Sequence, residues 1–157
     1  MRPTPDRVRE TLFNWLGQTL DGKRCLDLFA GSGALGFEAA SRGATEVVMI
    51  ERNRAVYRNL QDNIKKLGFE NIALRGEDGL EFAKQQNSPF DVIFLDPPFQ
   101  SDYLPKLLPL LNDKLADDGV VYVESGAPFE PEGEWNVVRQ ARAGAVFYQL
   151  LNTDKHD

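Results

Sequence analysis

Residues 96–99, Asp-Pro-Pro-Phe, combine side chains and backbone groups that could hold an amino-bearing aromatic base. They follow the apolar run 90–95, and the two prolines fix the backbone and remove two N–H donors, so the chain leaves a strand as a stiff, extended loop. This loop presents the Asp96 carboxylate, the Pro97 carbonyl and, after Pro98, the ring of Phe99. The alternative is a simple strand-exit turn in which Asp96 caps the local backbone and Phe99 packs in the core.

A glycine-rich turn lies upstream of this loop, within the segment Cys-Leu-Asp-Leu-Phe-Ala-Gly-Ser-Gly-Ala-Leu-Gly at 25–36. Gly31 and Gly33 let the backbone turn sharply and approach a ligand, and the helix that follows offers unpaired N–H groups to a carboxylate or phosphate. A second apolar run ends at Glu51, placed to bind a ribose diol about 20 residues after the glycines. Alternatively, the glycines form only a tight turn and Glu51 is a solvated strand end. The order of strand, glycines, helix, strand and acid favours a binding role.

Asp78 ends a third loop, 76–78, which follows a predicted strand at 72–75. In a parallel sheet this loop reaches the same crevice as the glycine turn, where Asp78 is placed to accept a hydrogen bond from an adenine amino group. Asp78 is equally suited to cap the helix that runs through Phe82. The two roles do not exclude each other.

The spacing of strands and helices predicts an α/β fold with a mostly parallel sheet, helices on both faces and right-handed crossovers. We expect one domain over 1–157, with an N-terminal helix segment at 1–17 and a core at 24–151. The predicted helices include 54–67, ended by Gly68, and 103–111. Strands at 120–124, 135–142 and 145–151 bring the number to about seven, the last two forming an antiparallel hairpin.

The composition favours a cytoplasmic enzyme domain: 157 residues, 42% of them hydrophobic, give a substantial core. The single cysteine, Cys25, excludes an internal disulfide and is expected in the core. The only histidine, His156, lies in a polar tail, which argues against histidine catalysis and a metal site. No apolar stretch approaches the roughly 20 residues of a membrane span. We expect a monomer that binds neither metal nor membrane.

Four segments of the chain together resemble the RsmD family of small-subunit ribosomal RNA guanine-N2 methyltransferases. They are 2–16, the loop 27–33, residues 96–99 and Tyr-Val-Glu-Ser at 122–125. The resemblance implies a class I, Rossmann-like methyltransferase fold that uses S-adenosylmethionine and acts on 16S ribosomal RNA or a ribosomal particle. It also implies that Glu51 binds the ribose, Asp78 the adenine and residues 96–99 the target guanine. The methionine part would be held by the loop residues Asp27, Phe29, Ala30, Gly31, Ser32 and Gly33.

The charge of the chain is unusual for an RNA-binding protein, because the formal net charge is −6. Basic residues nevertheless outnumber acidic ones in the first 24 residues. Solvated charge on a helix face is the alternative for any one of them. The candidates for RNA contact are Arg2, Arg7, Arg9, Lys23 and Arg24.

Three other functions fit parts of the pattern. The segment Gly-Ser-Gly-Ala-Leu-Gly at 31–36 satisfies the dinucleotide fingerprint, which would indicate a nicotinamide-dependent oxidoreductase. An amino-group methyltransferase acting on DNA or on a protein amide would share both the glycine loop and residues 96–99. A catalytically inactive RNA-binding assembly factor is the alternative that is not an enzyme.

Overall fold

The computed structural model describes residues 5–85, 88–97 and 103–153. Among these ranges the longest helix has 14 residues, and none of the described helices is long and apolar enough to cross a membrane. The helices are α1 (Asp6–Leu16), α2 (Ala34–Ser41), α3 (Arg54–Leu67), α4 (Gly79–Ala83) and α5 (Tyr103–Leu111), with a 3-10 turn at Asn112–Lys114. The strands are β1 (Arg24–Asp27), β2 (Glu46–Ile50), β3 (Ile72–Arg75), β4 (Phe90–Leu95), β5 (Leu115–Ser125), β6 (Trp135–Ala143) and β7 (Val146–Thr153).

The strands form one seven-stranded sheet in the order β3-β2-β1-β4-β5-β7-β6. The first five strands run parallel, and β7 pairs antiparallel with both β5 and β6. This arrangement confirms the predicted fold class and the C-terminal hairpin. It also shows that β7, although last in the chain, lies inside the sheet while β6 forms the edge.

Helices cover both faces of the sheet and divide the core into two clusters. Apolar residues of α1, α2 and α3 pack with Phe94 and Tyr122 on one face. Residues of α4 and α5 pack with Ile93 and Val121 on the other face. Successive side chains of a strand point to opposite faces of the sheet. The two clusters therefore bury both faces of the central strands, as expected for a parallel sheet.

Local signals set the ends of α3, which match the sequence prediction. The Asn53 side chain accepts a hydrogen bond from the Val56 N–H at the start of the helix, and Gly68 ends it with a left-handed φ of 75°. Strand β5, by contrast, begins at Leu115 and not at the predicted residue 120. An irregular stretch separates its two parts: Asp118 has a φ of 64°, and the pairing with β4 shifts between Phe90 and Val92.

Candidate active site

Four acidic residues lie at the carboxyl edge of the parallel strands. Asp27 is the last residue of β1, Glu51 follows β2, Asp78 lies in the loop after β3, and Asp96 follows β4. Because these strands are neighbours in the sheet, their ends open onto one crevice, the usual ligand site of open α/β sheets. The structure therefore places all four acidic residues that the sequence singled out at the same edge of the sheet, while their roles toward a ligand stay predictions.

The glycine turn between β1 and α2 is fixed by backbone hydrogen bonds. The Ala30 N–H donates to the Ile50 carbonyl at 2.9 Å, and the Gly33 N–H donates to the Ala30 carbonyl at 2.8 Å. Gly31 and Gly33 have φ values of 54° and 87°, in the left-handed region that favours glycine. The turn is therefore a rigid platform, and Ser32 is its exposed residue.

Glu51 ties this turn to the end of β2. Its Oε1 accepts from the Gly31 N–H at 3.0 Å and its Oε2 accepts from the Asn53 N–H at 3.0 Å. The side chain is not the solvated strand end of the alternative interpretation, since Glu51 is only 7% exposed. A carboxylate offers about four acceptor positions, so these two bonds leave capacity for a diol.

Replacing Gly33 with alanine should destabilise the protein through both backbone strain and overlap. A Cβ at this position would lie 2.6 Å from Phe37 Cε2 and 2.8 Å from Leu60 Cδ2. Gly22 is a matched control, because it has a similar φ of 78° but nothing within 4 Å of its added Cβ. Gly22→Ala should cost about 1–2 kcal/mol, and Gly33→Ala about 1–3 kcal/mol more. Urea unfolding tests this; equal losses in the two variants would contradict the packing argument.

Asp27 is buried beneath the glycine turn and is 2% exposed. Its Oδ2 accepts from the Gly36 N–H at 3.1 Å, and the Phe29 N–H also favours the charged form. Burial nevertheless dominates and, with the charge of Glu51, raises the pKa of Asp27 from its usual 3.8 to about 7. A Cβ at position 36 would lie 3.1 Å from Asp27 Oδ2, so the third glycine of the motif allows α2 to approach this carboxyl group.

This raised pKa predicts a pH-dependent stability of the ligand-free protein. Because the pKa of Asp27 is higher in the folded state, its contribution is complete below about pH 4 and is lost as the pH rises through 7. Between about pH 5 and pH 8, the free energy of unfolding should fall by up to about 3 kcal/mol relative to Asp27→Asn, which cannot ionise. Urea unfolding of both proteins across this range measures the difference. Parallel pH profiles would show that Asp27 does not titrate as stated.

Asp78 caps α4, which is one of the two roles predicted for it. Its Oδ2 accepts from the Glu81 N–H at 3.1 Å, and its Oδ1 pairs with Arg52 Nη1 at 3.2 Å. The helix cap holds the carboxyl group at the start of α4, in the loop that follows β3. Its role toward adenine stays a prediction.

The proline loop begins at the point where β4 leaves the sheet. Asp96 is partly exposed, and Pro97 is buried. Pro98 and Phe99, which the sequence assigned to the target base, lie outside the described residues. The described part of the loop thus contributes the Asp96 carboxylate and the Pro97 backbone carbonyl at the end of β4.

A buried hydrogen bond beside Asp96 was not predicted from the sequence. The Tyr122 hydroxyl donates to Glu124 Oε1 at 2.6 Å, and Glu124 is only 4% exposed. The sequence predicts a strand at 120–124 that ends in an acidic residue, and residues 122–125 carry part of the family resemblance, but neither pattern indicates a bond between these two side chains. Strand order supplies the missing information, because β5 lies next to β4.

The described candidates for RNA contact lie on two elements, α1 and the beginning of β1. On α1, Arg7 is exposed, and Arg9 pairs with Asp6 at 3.0 Å. Lys23 and Arg24 lie at the start of β1, the end opposite to the glycine turn. The Arg24 guanidinium pairs with Glu46 at 2.8 Å and stacks 4.1 Å from the centre of the Phe90 ring. Arg2 lies outside the described residues.

Comparison with known proteins gives close matches over nearly the whole chain. The family described as conserved hypothetical protein 95 matches residues 1–152. Ribosomal RNA small subunit methyltransferase D of Escherichia coli strain K12 is 44% identical over 160 residues, covering 98% of this chain and 80% of that protein. The solved structure of yhhF from Escherichia coli has a TM-score of 0.89 and 42% identity, covering 98% of this chain and 88% of that one.

A more distant structure contains a ligand. An RNA methyltransferase from Salinibacter ruber, solved in complex with S-adenosyl-L-homocysteine, has a TM-score of 0.77 at 20% identity and covers 99% of this chain and 97% of that one. At this level of identity the likeness concerns the fold alone.

Proposed function

This chain belongs to the RsmD family, and from that membership we propose that it methylates the exocyclic N2 amine of a guanine in small-subunit ribosomal RNA. The methyl donor is S-adenosylmethionine. The observation that carries the proposal is the carboxyl edge of the sheet, where the glycine turn, Glu51 and Asp96 open onto one crevice. The family also favours methyl transfer over the nicotinamide-dependent oxidoreductase considered from the sequence.

The residues at this edge fit the cofactor in shape and charge. The turn at 30–33 needs two left-handed glycines, and Glu51, which fixes the turn, retains acceptor capacity for the ribose diol. Asp27 and Glu51 are two buried carboxyl groups that would suit a ligand carrying a positive sulfonium and an ammonium group. When bound, S-adenosylmethionine supplies a methyl group already activated by the positive charge of its sulfur.

The chain's own residues have to align a poor nucleophile. The lone pair of the guanine N2 amine is delocalised into the ring, and hydrogen bonds from the amine to the Asp96 carboxylate and the Pro97 carbonyl would favour a pyramidal nitrogen. Phe99 is proposed to stack on the extruded base. Alignment of this kind can be worth about 7–11 kcal/mol. The proton that leaves the methylated amine passes to Asp96 or to water.

The test is to supply the protein with labelled S-adenosylmethionine and small-subunit ribosomal RNA from a methylation-deficient strain. Deproteinised RNA and assembled particles are compared, and the RNA is digested to nucleosides for mass spectrometry. We expect N2-methylguanosine as the product. A methylated adenosine, or label in protein alone, would refute the proposed specificity. Calorimetry with NAD in place of the cofactor provides a binding control.

A further inference from the structure

Strand β5 places Glu124 beside the proline loop. In the parallel pairing of β4 with β5, Phe94 lies opposite Tyr122 and Leu95 lies opposite Val123. Asp96 follows the last paired residue of β4, so the same register extended by one residue would set it alongside Glu124, and its charge acts on the Tyr122 hydroxyl. Tyr122 and Glu124 lie two residues apart and therefore point to the same face of the sheet, as their hydrogen bond at 2.6 Å requires.

The Tyr122 hydroxyl is a fixed proton donor in this cluster. Burial, followed by the charge and hydrogen bond of Glu124 and then the charge of Asp96, raises the pKa of Tyr122 far above its usual range. The hydroxyl therefore keeps its proton, and that proton can be donated to one carboxylate at a time. In the structure Glu124 receives it, at the short distance typical of a hydrogen bond to a charged acceptor.

We propose that Glu124 is a positioning residue for Asp96, holding the Tyr122 hydroxyl on its own carboxylate and directing Asp96 into the crevice toward the target amine. Without Glu124, the Tyr122 hydroxyl would turn to Asp96 and occupy an acceptor site that the amine needs. The inference rests on the proposed function, since it assigns Asp96 to the amine.

The test combines single and double substitutions in one methylation assay. Glu124→Ala should lower kcat about 10- to 100-fold, the scale of a misplaced reacting group, and leave the Kd for S-adenosylmethionine within about threefold of wild type. Glu124→Gln retains an acceptor for the Tyr122 hydroxyl and should recover part of the loss. Tyr122→Phe in the Glu124→Ala background should also restore kcat in part, because no hydroxyl remains to occupy Asp96.

The control is Asp117→Ala, which removes an exposed carboxylate near the other end of β5. It should leave kcat unchanged. If Glu124→Ala fails to fold, Glu124→Leu fills the space and carries the same expectation for kcat and for rescue. Wild-type kcat in Glu124→Ala or Glu124→Leu would overturn the inference. So would a double variant, Tyr122→Phe with Glu124→Ala, that is less active than Glu124→Ala alone. An inactive wild-type protein would refute the proposed function instead.

Discussion

Replacing Asp96 with alanine is expected to lower methyl transfer about 100- to 1,000-fold, the scale for removing one preorganised polar contact to a reacting group. The affinity for S-adenosylmethionine should stay nearly unchanged, because Asp96 follows β4 while the glycine turn and Glu51 lie at the ends of β1 and β2. Single-turnover kinetics on ribosomal RNA measure the first quantity, and calorimetry measures the second.

One further variant separates charge from hydrogen bonding at position 96. Asp96→Asn retains an acceptor oxygen and should be less impaired than Asp96→Ala. Asp113→Ala, which removes an exposed carboxylate from the 3-10 turn before β5, is the control and should behave as wild type. An Asp96→Ala protein that methylates guanine at the wild-type rate would remove Asp96 from the site.

Replacing Glu51 should have the largest effect on cofactor binding. Glu51→Ala leaves the Gly31 and Asn53 N–H groups without their acceptor and removes the side-chain link between the glycine turn and the end of β2, although the backbone bond from Ala30 to Ile50 remains. The variant also lacks the acceptor proposed for the ribose diol. A hydrogen bond to a charged group is worth about 1.5–3 kcal/mol, so we expect the affinity for S-adenosylmethionine to fall about 10- to 150-fold. Calorimetry on the purified proteins measures this change.

The geometry also predicts an unusual result for the conservative variant at this position. Each Glu51 oxygen accepts from a different backbone N–H, so Glu51→Gln would place its NH₂ group against one of these donors. Glu51→Gln should therefore bind the cofactor nearly as weakly as Glu51→Ala. Glu70→Ala, an exposed acid in the loop before β3, is the matched control. Wild-type affinity in both Glu51 variants would show that neither the ribose contact nor the tie to the turn matters.

The sequence predicted the helices and central strands because their limits are set by local chemistry. Asn53 and Gly68 bound α3 at the predicted residues, and β4 is continuously apolar from Val92 to Leu95 because both its faces are buried there. The start of β5 was missed since Asp118 and Gly119 interrupt its pattern with an irregular pairing. That pairing depends on β4, a distant part of the chain.

The candidate site was also predicted in part, because some of its features follow from the local sequence and others depend on contacts between distant parts of the chain. Strand order follows from the α/β pattern, so the sequence could place Asp27, Glu51, Asp78 and Asp96 at one edge. It could not reveal that Glu51 fixes the Gly31 backbone, because that contact depends on how closely two loops approach. The bond from Tyr122 to Glu124 was missed for a related reason, since its importance depends on β4 lying alongside β5.

The position of β7 has a consequence for how the protein assembles. Strand β6 is made before β7, yet among the described strands it pairs with β7 alone, so within that part of the chain it lacks a strand partner until β7 has inserted against β5. Until that step, the outer side of β5 is an open edge with unpaired backbone groups, the kind of surface on which chains aggregate. A nascent or truncated chain that ends before Val146 would leave β5 exposed and β6 detached, while the strands that carry the glycine turn are already paired.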